Sequence, residues 1–171
     1  MAHGKSQRLR PKRRRLGKTD YHRRMRLLRS GAPRVVVRLS NTQVTCQLIS
    51  YSPGGDNVIE SVNGKSLVDS YSWPANSSKK SVPACYLAGY ALAKKAILSG
   101  NSSAVLDIGL AASSSGSRVF AALKGMVDAG LEVPHGESVL PNEERVNGEH
   151  IDDSQASALE ASIQAIEEAH K

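Results

Sequence analysis

The first regular pattern along the chain is an alternation of apolar and polar residues, which has the period of a β-strand. Residues 34–40 place Val35, Val37 and Leu39 on one face, and residues 43–51 alternate in the same way. The two-residue connection between these segments is typical of a tight turn. The pattern therefore predicts a β-hairpin with one face for a core and a second, more polar face.

Two further strands are predicted downstream of the hairpin. The turn at residues 52–56 leads into residues 57–62, which we expect to complete an antiparallel meander. Residues 63–82 are irregular, and we favour a position at the edge of the core for Trp73 over a role in stacking on a base. The short apolar run at residues 104–108 is typical of a central strand, parallel to the meander strand from which a helix crosses over.

Helices are predicted on both sides of this fourth strand. Pro83 suits the first turn of a helix, apolar residues recur at helical spacing as far as Leu98, and Gly100 ends the pattern. Ser117 is placed to cap a second helix that runs through Ala129. The many alanines of the first helix indicate that it packs closely on the sheet.

These patterns divide the chain into three regions. We expect a basic arm with a short helix at residues 1–32, an α/β core domain at residues 33–133 and an acidic extension at residues 134–171. The core is an antiparallel three-strand meander extended by a parallel strand, with helices packed on the sheet. The extension ends in an amphipathic acidic helix that begins near Asp152 and either folds back or docks on a neighbour.

The distribution of charge along the chain indicates more about function than the overall composition does. Residues 1–38 carry +13, residues 39–130 carry +2 and residues 131–171 carry −8. Residues 5–38 hold 14 of the 23 Lys and Arg, with Asp20 as their only acid. Such like charges repel one another, whereas each one that meets a phosphate releases counterions. The pattern predicts a nucleic-acid-binding arm, with a disordered basic leader, or a nuclear or heparin-type patch, as the alternative.

A short helix is expected inside this basic region. Thr19 and Asp20 resemble an N-cap, and Gly31 marks the end of the helix. A thin apolar stripe, which includes Met25, rests on the domain in this interpretation, while the Arg side chains project towards a phosphate backbone. The alternative is a solvated basic helix. We expect residues 1–18 to form an extended arm that orders when it meets its partner.

A second anion site is predicted at the helix that Ser117 begins. A loop that enters a helix offers free backbone N–H groups to an anion. Arg118 lies in the first turn, where a cation opposes the helix dipole, so a phosphate partner would explain its position. The alternative is a surface Arg with no role. For Arg34 and Arg38, the sequence leaves two interpretations open: contact with RNA, or a role in keeping the edge of a strand soluble.

No constellation in the sequence predicts an enzyme. Asp107 is the only acid on the predicted central strand, and one carboxylate does not hold a two-metal site. No phosphate-binding loop and no nucleophile elbow occur, the five His are scattered, and Cys46 and Cys85 do not resemble a zinc site. The sequence predicts no cofactor, no metal, no small-molecule substrate and no membrane span.

Several segments resemble the archaeal and eukaryotic branch of large-subunit ribosomal protein eighteen, which binds 5S rRNA. They follow the order and spacing of that family over about residues 19–151, and residues 134–151 are typical of the archaeal branch. The segments are Thr19-Asp20-Tyr21, Arg29–Arg38, Val44–Leu48, Val105–Leu110, Gly116–Gly125, Asp128–Leu131 and Val133–Glu137. The resemblance implies a ribonuclease-H-like topology without the catalytic acids.

The resemblance also implies function and partners. We expect a cytoplasmic, ribosomal protein that attaches 5S rRNA to 23S rRNA in the central protuberance and touches neighbouring large-subunit proteins, with its acidic tail as the candidate contact. The alternative is a non-ribosomal RNA-binding module or RNA chaperone. The expected RNA-binding residues are Lys5, Arg8, Arg10, Lys12, Arg13, Arg14, Arg15, Lys18, Tyr21, Arg23, Arg24, Arg26, Arg29, Arg34, Arg38, Asn41, Ser117 and Arg118.

Overall fold

The computed structural model describes residues 9–152 and 154–170. A three-residue 3-10 turn at Glu137–Val139 joins the body to the C-terminal helices. The strands and α-helices are, in chain order, α1 (Lys12–Arg15), α2 (Tyr21–Leu28), β1 (Arg34–Leu39), β2 (Val44–Ser52), β3 (Gly55–Asn63), α3 (Gly64–Ser70), α4 (Val82–Leu98), β4 (Val105–Asp107), α5 (Arg118–Asp128), α6 (Glu143–Asn147) and α7 (Ser154–Ala169). This arrangement confirms the predicted α/β fold class.

The four strands form one sheet in the order β3-β2-β1-β4. The β1–β2 and β2–β3 pairs are antiparallel, and β4 runs parallel to β1 with Val36 opposite Asp107. The meander and its parallel extension are therefore confirmed. The prediction of a central position for residues 104–108 was wrong, because β4 lies at the edge of the sheet. Its apolar character instead reflects the packing of Leu106 and Ile108 against the core.

Helices α4 and α5 pack against the sheet and against each other. Ser81 begins α4, and its Oγ accepts a hydrogen bond from the N–H of Ala84 at 3.3 Å. A Cβ added to Gly89 of α4 would collide with the carbonyl of Ala122 in α5. The two helices thus approach each other at backbone distance, which only a glycine permits.

One side of the sheet and the α4–α5 pair enclose the core. Val35 and Val37 are 0% and 1% exposed, so the predicted inner face of β1 is confirmed. Trp73 is 2% exposed, so it packs in this core, as favoured over base stacking, but is buried inside the core and not at its edge. The expectation of an irregular segment at residues 63–82 missed α3, which Asn63 caps through hydrogen bonds from the N–H groups of Lys65 and Ser66.

The C-terminal helix α7 folds back on α4, which decides between the two alternatives left by the sequence. Its stripe is buried at Leu159 and Ile166, which are 4% and 0% exposed. The hydroxyl of Tyr90 in α4 donates a hydrogen bond to Glu167 at 2.8 Å. Burial, together with this carboxylate, raises the pKa of Tyr90 to about 12. The helix is therefore held by an apolar seam and by a hydrogen bond from a neutral phenol.

Candidate nucleic-acid interface

The basic residues of the arm are exposed to solvent wherever the structure describes them. Helix α1 consists of Lys12–Arg15 and contains four consecutive cations with no acid. Arg10 and Lys18 flank it and are also exposed, whereas Lys5 and Arg8 lie outside the described residues. The prediction of an extended arm was wrong at α1, where the carbonyl of Pro11 accepts backbone hydrogen bonds and closes one helical turn.

Helix α2 follows the predicted cap. The Asp20 carboxylate accepts hydrogen bonds from the N–H groups of His22 at 2.9 Å and Arg23 at 3.1 Å. The hydrogen bond from Arg23 is the main reason that the pKa of Asp20 lies below its usual value. The carboxylate therefore stays ionised at the positive end of the helix dipole, where it stabilises the helix start.

Arginines provide the polar contacts that hold α2 on the body. Of the predicted apolar stripe, Tyr21 and Leu28 are half-buried, whereas Met25 is 50% exposed and no residue of α2 is fully buried, so the apolar contact with the domain is partial. Arg23 Nη1 donates to the carbonyl of Gly109 at 2.6 Å, and Arg24 Nη2 pairs with Asp56 Oδ2 at 2.7 Å. The outer Arg26 and the exposed side of the helix are left for a partner.

Arg34 lies at the centre of a buried ion-pair network. Its side chain is 2% exposed, and its two terminal nitrogens bind Asp107 Oδ2 and Asp56 Oδ2, each at 2.9 Å. The expectation that Arg34 contacts RNA does not fit this burial, and neither does a role at a soluble strand edge. The reason is that β4 and the β2–β3 turn bring two carboxylates against the face of β1 that appeared polar.

Arg38 lies at the rim of the same network. Its side chain is 46% exposed, and its Nη2 pairs with Asp107 Oδ1 at 2.9 Å. Its Nη1 donates to the carbonyls of Val37 at 2.8 Å and Asp107 at 2.6 Å. The guanidinium is thus fixed in one orientation while half of the side chain remains open to solvent.

The network controls the protonation of its two acids. Burial alone would raise the pKa of Asp107, but hydrogen bonds and charge from Arg38 and Arg34 outweigh it and lower the pKa. The same balance, with Arg24 and Arg34 as the partners, lowers the pKa of Asp56. Both carboxylates are therefore ionised in the folded protein wherever a free Asp would be.

These depressed pKa values predict an acid-sensitive fold. A lowered folded-state pKa stabilises the protein above the unfolded value of about 3.9 for Asp, and this stabilisation is lost as the pH falls through the folded pKa. We expect the urea midpoint to drop below about pH 4, and Asp107→Asn to flatten that part of the profile. The matched control is Asp69→Asn at an exposed position of α3. A profile of Asp107→Asn that follows the wild type would contradict the role of the network.

The remaining predicted site residues lie in two other loops. Arg118 is exposed at the start of α5, and Ser117 occupies the N-cap without a side-chain hydrogen bond to the helix. Asn41 is exposed in the β1–β2 turn, where its carbonyl accepts from Lys80 Nζ at 2.6 Å. Tyr21 is half-buried and Arg29 is exposed. Exposure makes Arg118, Asn41 and Arg29 available to a ligand, whereas the Ser117 hydroxyl is buried and has no hydrogen-bond partner among the described residues. Contacts of these residues with RNA stay a prediction.

Chemistry beyond binding has no support in the described part of the chain. Within residues 9–152 and 154–170, no group of three His, Cys, Asp or Glu is placed to hold a metal ion. Both oxygens of Asp107 already accept hydrogen bonds from protein donors. Burial raises the pKa of Cys46, and it raises that of Cys85 to about 12. In the same residues, no helix has the length and apolar character needed to cross a membrane.

Sequence reasoning missed two residues that shape the interface. Asp56 was assigned only to a turn, yet it joins α2 to β1 through Arg24 and Arg34. Gly109, whose φ is +63°, accepts the hydrogen bond from Arg23 just after β4. Neither has a local signal, because their partners are between 22 and 86 residues away along the chain.

An exposed cationic arm, fixed by arginines to a small α/β body, is typical of a structural RNA-binding protein. The family model described as "Ribosomal large subunit proteins 60S L5, and 50S L18" matches residues 5–102 and 98–136. The chain belongs to this family of large-subunit ribosomal proteins.

Curated archaeal relatives agree with the family model, and each is named large ribosomal subunit protein uL18. The protein of Methanobrevibacter smithii is 50% identical over 151 residues, which are 88% of this chain and 77% of the relative. That of Methanothermobacter thermautotrophicus is 48% identical with the same coverage. That of Methanoculleus marisnigri is 46% identical over 158 residues, 91% of this chain and 89% of the relative.

Membership of the family settles the broad function. The chain is a structural constituent of the large ribosomal subunit, of the archaeal branch, with ribosomal RNA and ribosomal proteins as its partners. It is not an enzyme, since the relatives are structural ribosomal proteins. The alternative of a non-ribosomal RNA-binding module is thereby set aside, and the expected location on the ribosome is confirmed.

Proposed function

We propose that this protein binds 5S rRNA and mediates its attachment to 23S rRNA in the central protuberance. The observation that carries the proposal is the exposed cationic segment from Arg10 to Arg29, which is mounted on the body by α2. The order and spacing of the family motifs support 5S rRNA as the ligand, because they begin at Thr19 and extend over α2 as well as the body.

The arm and α2 neutralise phosphates and set the register of the RNA on the protein. Arg118 and Asn41 then contact sugar hydroxyls and phosphates, which is how proteins recognise the shape of A-form RNA. Arg34 and the Ser117 hydroxyl are excluded because they are buried. The proposed contact residues that the structure describes are Arg10, Lys12, Arg13, Arg14, Arg15, Lys18, Tyr21, Arg23, Arg24, Arg26, Arg29, Arg38, Asn41 and Arg118.

The acidic C-terminal region suits a protein neighbour better than RNA. Residues 131–171 carry −8, and Glu160 and Glu168 of α7 are exposed. A surface of this sign repels phosphate and attracts the basic proteins that are typical of a ribosome. We therefore assign this surface to a contact with a neighbouring large-subunit protein.

A nuclease footprint on isolated 5S rRNA tests the proposal. The full chain should protect a discrete segment of 5S rRNA at concentrations that leave an unrelated structured transcript of equal length unprotected. The competitor transcript is the control for charge alone, since it has the same number of phosphates. Equal affinity for the two RNAs would overturn the assignment to 5S rRNA.

A further inference from the structure

A cleft of about 550 Å³ opens between the arm, α2 and the carboxyl ends of β1 and β4. This volume is within the range of roughly 300–1,000 Å³ that is usual for pockets that enclose a small ligand. The carboxyl ends of parallel strands are also where open α/β sheets bind their ligands. The cleft is therefore suited in size and position to hold one compact group.

The lining of the cleft combines cationic and apolar side chains. Five of its side chains are Arg or Lys and two are carboxylates, Asp20 and Asp107. The acids are occupied, because Asp20 accepts from the backbone of α2 and Asp107 accepts from Arg34, Arg38 and an N–H. The cleft thus favours an anion that also brings an apolar surface.

Arg38 presents the flat face of its guanidinium rather than its hydrogen-bonding edge. A Cβ added to Gly109 would lie 2.8 Å from Cζ, 3.0 Å from Nη2 and 3.1 Å from Nε of Arg38. Because Cζ is the nearest of the three atoms, that position is above the plane of the group and not beside its edge. The glycine backbone therefore covers one face of the guanidinium.

The side chain of Arg38 also remains partly open. Both terminal nitrogens already donate to protein acceptors, yet the side chain is 46% exposed and lines the cleft. An immobilised guanidinium of this kind is a platform on which a base stacks, as arginines do for unpaired bases of RNA. Leu39, Ile108 and Leu110 add apolar surface to the same cleft.

We propose that the cleft receives one unpaired nucleotide of the bound RNA, with its base stacked on Arg38 and its phosphate beside Arg13 and Lys18. The inference rests on the proposed function in one respect, since the arm must first bring an RNA to the cleft. A base inside a duplex does not expose its face, so the site selects a nucleotide from a bulge, loop or end. Arg38 therefore acts by stacking, whereas the arm acts by charge.

A titration of the full chain with small probes tests the site without reference to 5S rRNA. The probes are a nucleoside 5′-monophosphate, the same nucleoside without phosphate, and inorganic phosphate. Binding of each probe is measured by the chemical-shift changes of the backbone amides in NMR spectra. The monophosphate should shift the amides of Gly109, Leu110 and Ala111 saturably and more tightly than either fragment. The proposal is overturned if inorganic phosphate alone gives the same shifts, or if the monophosphate leaves these amides unmoved.

Two charge-preserving variants test the stacking role on RNA. Arg38→Lys keeps the charge but lacks the planar face, and should weaken binding to an RNA with an unpaired nucleotide by about tenfold, within the range of one stacked base. The slope of affinity against salt should not change, because no phosphate contact is removed. Arg145→Lys, at an exposed position of α6 outside both the cleft and the basic segment, is the control. Equal affinities of the two variants would contradict the proposal.

A cleft-filling variant keeps the test independent of the ion pairs of Arg38. Ala111 lines the cleft, whereas its neighbour Ala112 is exposed outside it. Ala111→Leu should abolish the nucleotide-dependent amide shifts, and Ala112→Leu should retain them. Loss of 5S preference in the footprint, with the amide shifts intact, would overturn the proposed function and leave the nucleotide site standing. The reverse result would overturn the site alone.

Discussion

Replacing Arg13, Arg14 and Arg15 together by Ala is expected to weaken 5S rRNA binding by about 100-fold at about 0.15 M salt. The three side chains are exposed on α1, and no acid of that helix neutralises them. Each phosphate contact contributes about 0.9 to the slope of log affinity against log salt. If each of the three side chains meets a phosphate, the magnitude of that slope should therefore decrease by roughly three. Filter binding of labelled 5S rRNA over a series of salt concentrations measures both quantities.

A variant of equal charge separates local contact from the overall field of the protein. Lys65, Lys79 and Arg145 lie outside the basic segment, and their joint replacement by Ala removes the same +3. We expect this control to lose only a small part of the affinity, because the interaction of a charge outside the contact surface with the RNA is largely screened at this salt concentration. A salt slope that is the same for the arm variant and the wild type would refute the role of the arm.

Val37→Asp is expected to unfold the body. Val37 is 1% exposed on the inner face of β1, within the core beneath α4 and α5. A carboxylate at this position would be buried without a partner, which costs about 4 kcal/mol or more. That is much of the stability of about 5–15 kcal/mol that is typical of a folded domain. Circular dichroism and urea unfolding measure the loss.

The same substitution at an exposed strand position is the control. Val58 of β3 is 46% exposed, so Val58→Asp places the new carboxylate in water and should change the urea midpoint little. If Val37→Asp were as well folded and as stable as Val58→Asp, the faces of β1 would be assigned incorrectly. The pair therefore tests the register of the sheet as well as its core.

The elements that depend on neighbouring residues were predictable from the sequence. The cap at Asp20, the alternation in β1 and β2, and the start of α4 at Ser81 and Pro83 each require only a few consecutive residues. Local preference and tertiary packing agree at these positions, which is why a pattern suffices. The family resemblance then supplied the topology that patterns alone leave open.

Which arginines are buried in ion pairs and which remain exposed was not predictable from local patterns. Arg34 and Arg38 alternate with Val35 and Val37 and therefore share the outer face of β1, yet Arg34 is buried and Arg38 is half-exposed. The difference arises from Asp56, which is 22 residues beyond Arg34 and reaches only that side chain of the two. Charge in a sequence indicates an attraction to phosphate, but carboxylates that are remote along the chain decide which cations remain free to act on it.

The edge position of β4 and the helix α3 show a related limit. An apolar run of five residues fits a central strand or a covered edge strand equally well, because both are shielded from water. Helix α3 is only seven residues long and begins with Gly64, so its sequence resembles a turn. In both cases packing against distant residues decides the outcome, and no short-range pattern contains that information.

The packing of α7 on α4 also determines where the acidic helix lies relative to the basic helix α2. Helix α2 is attached to the side of the sheet that carries Arg34, whereas α4 covers the other side and separates the sheet from α7. The cations of α2 and the acids of α7 are therefore held on opposite sides of the sheet. This separation of charge lets a polyanion orient the protein during approach, so we expect productive collisions with RNA to outnumber those of random tumbling.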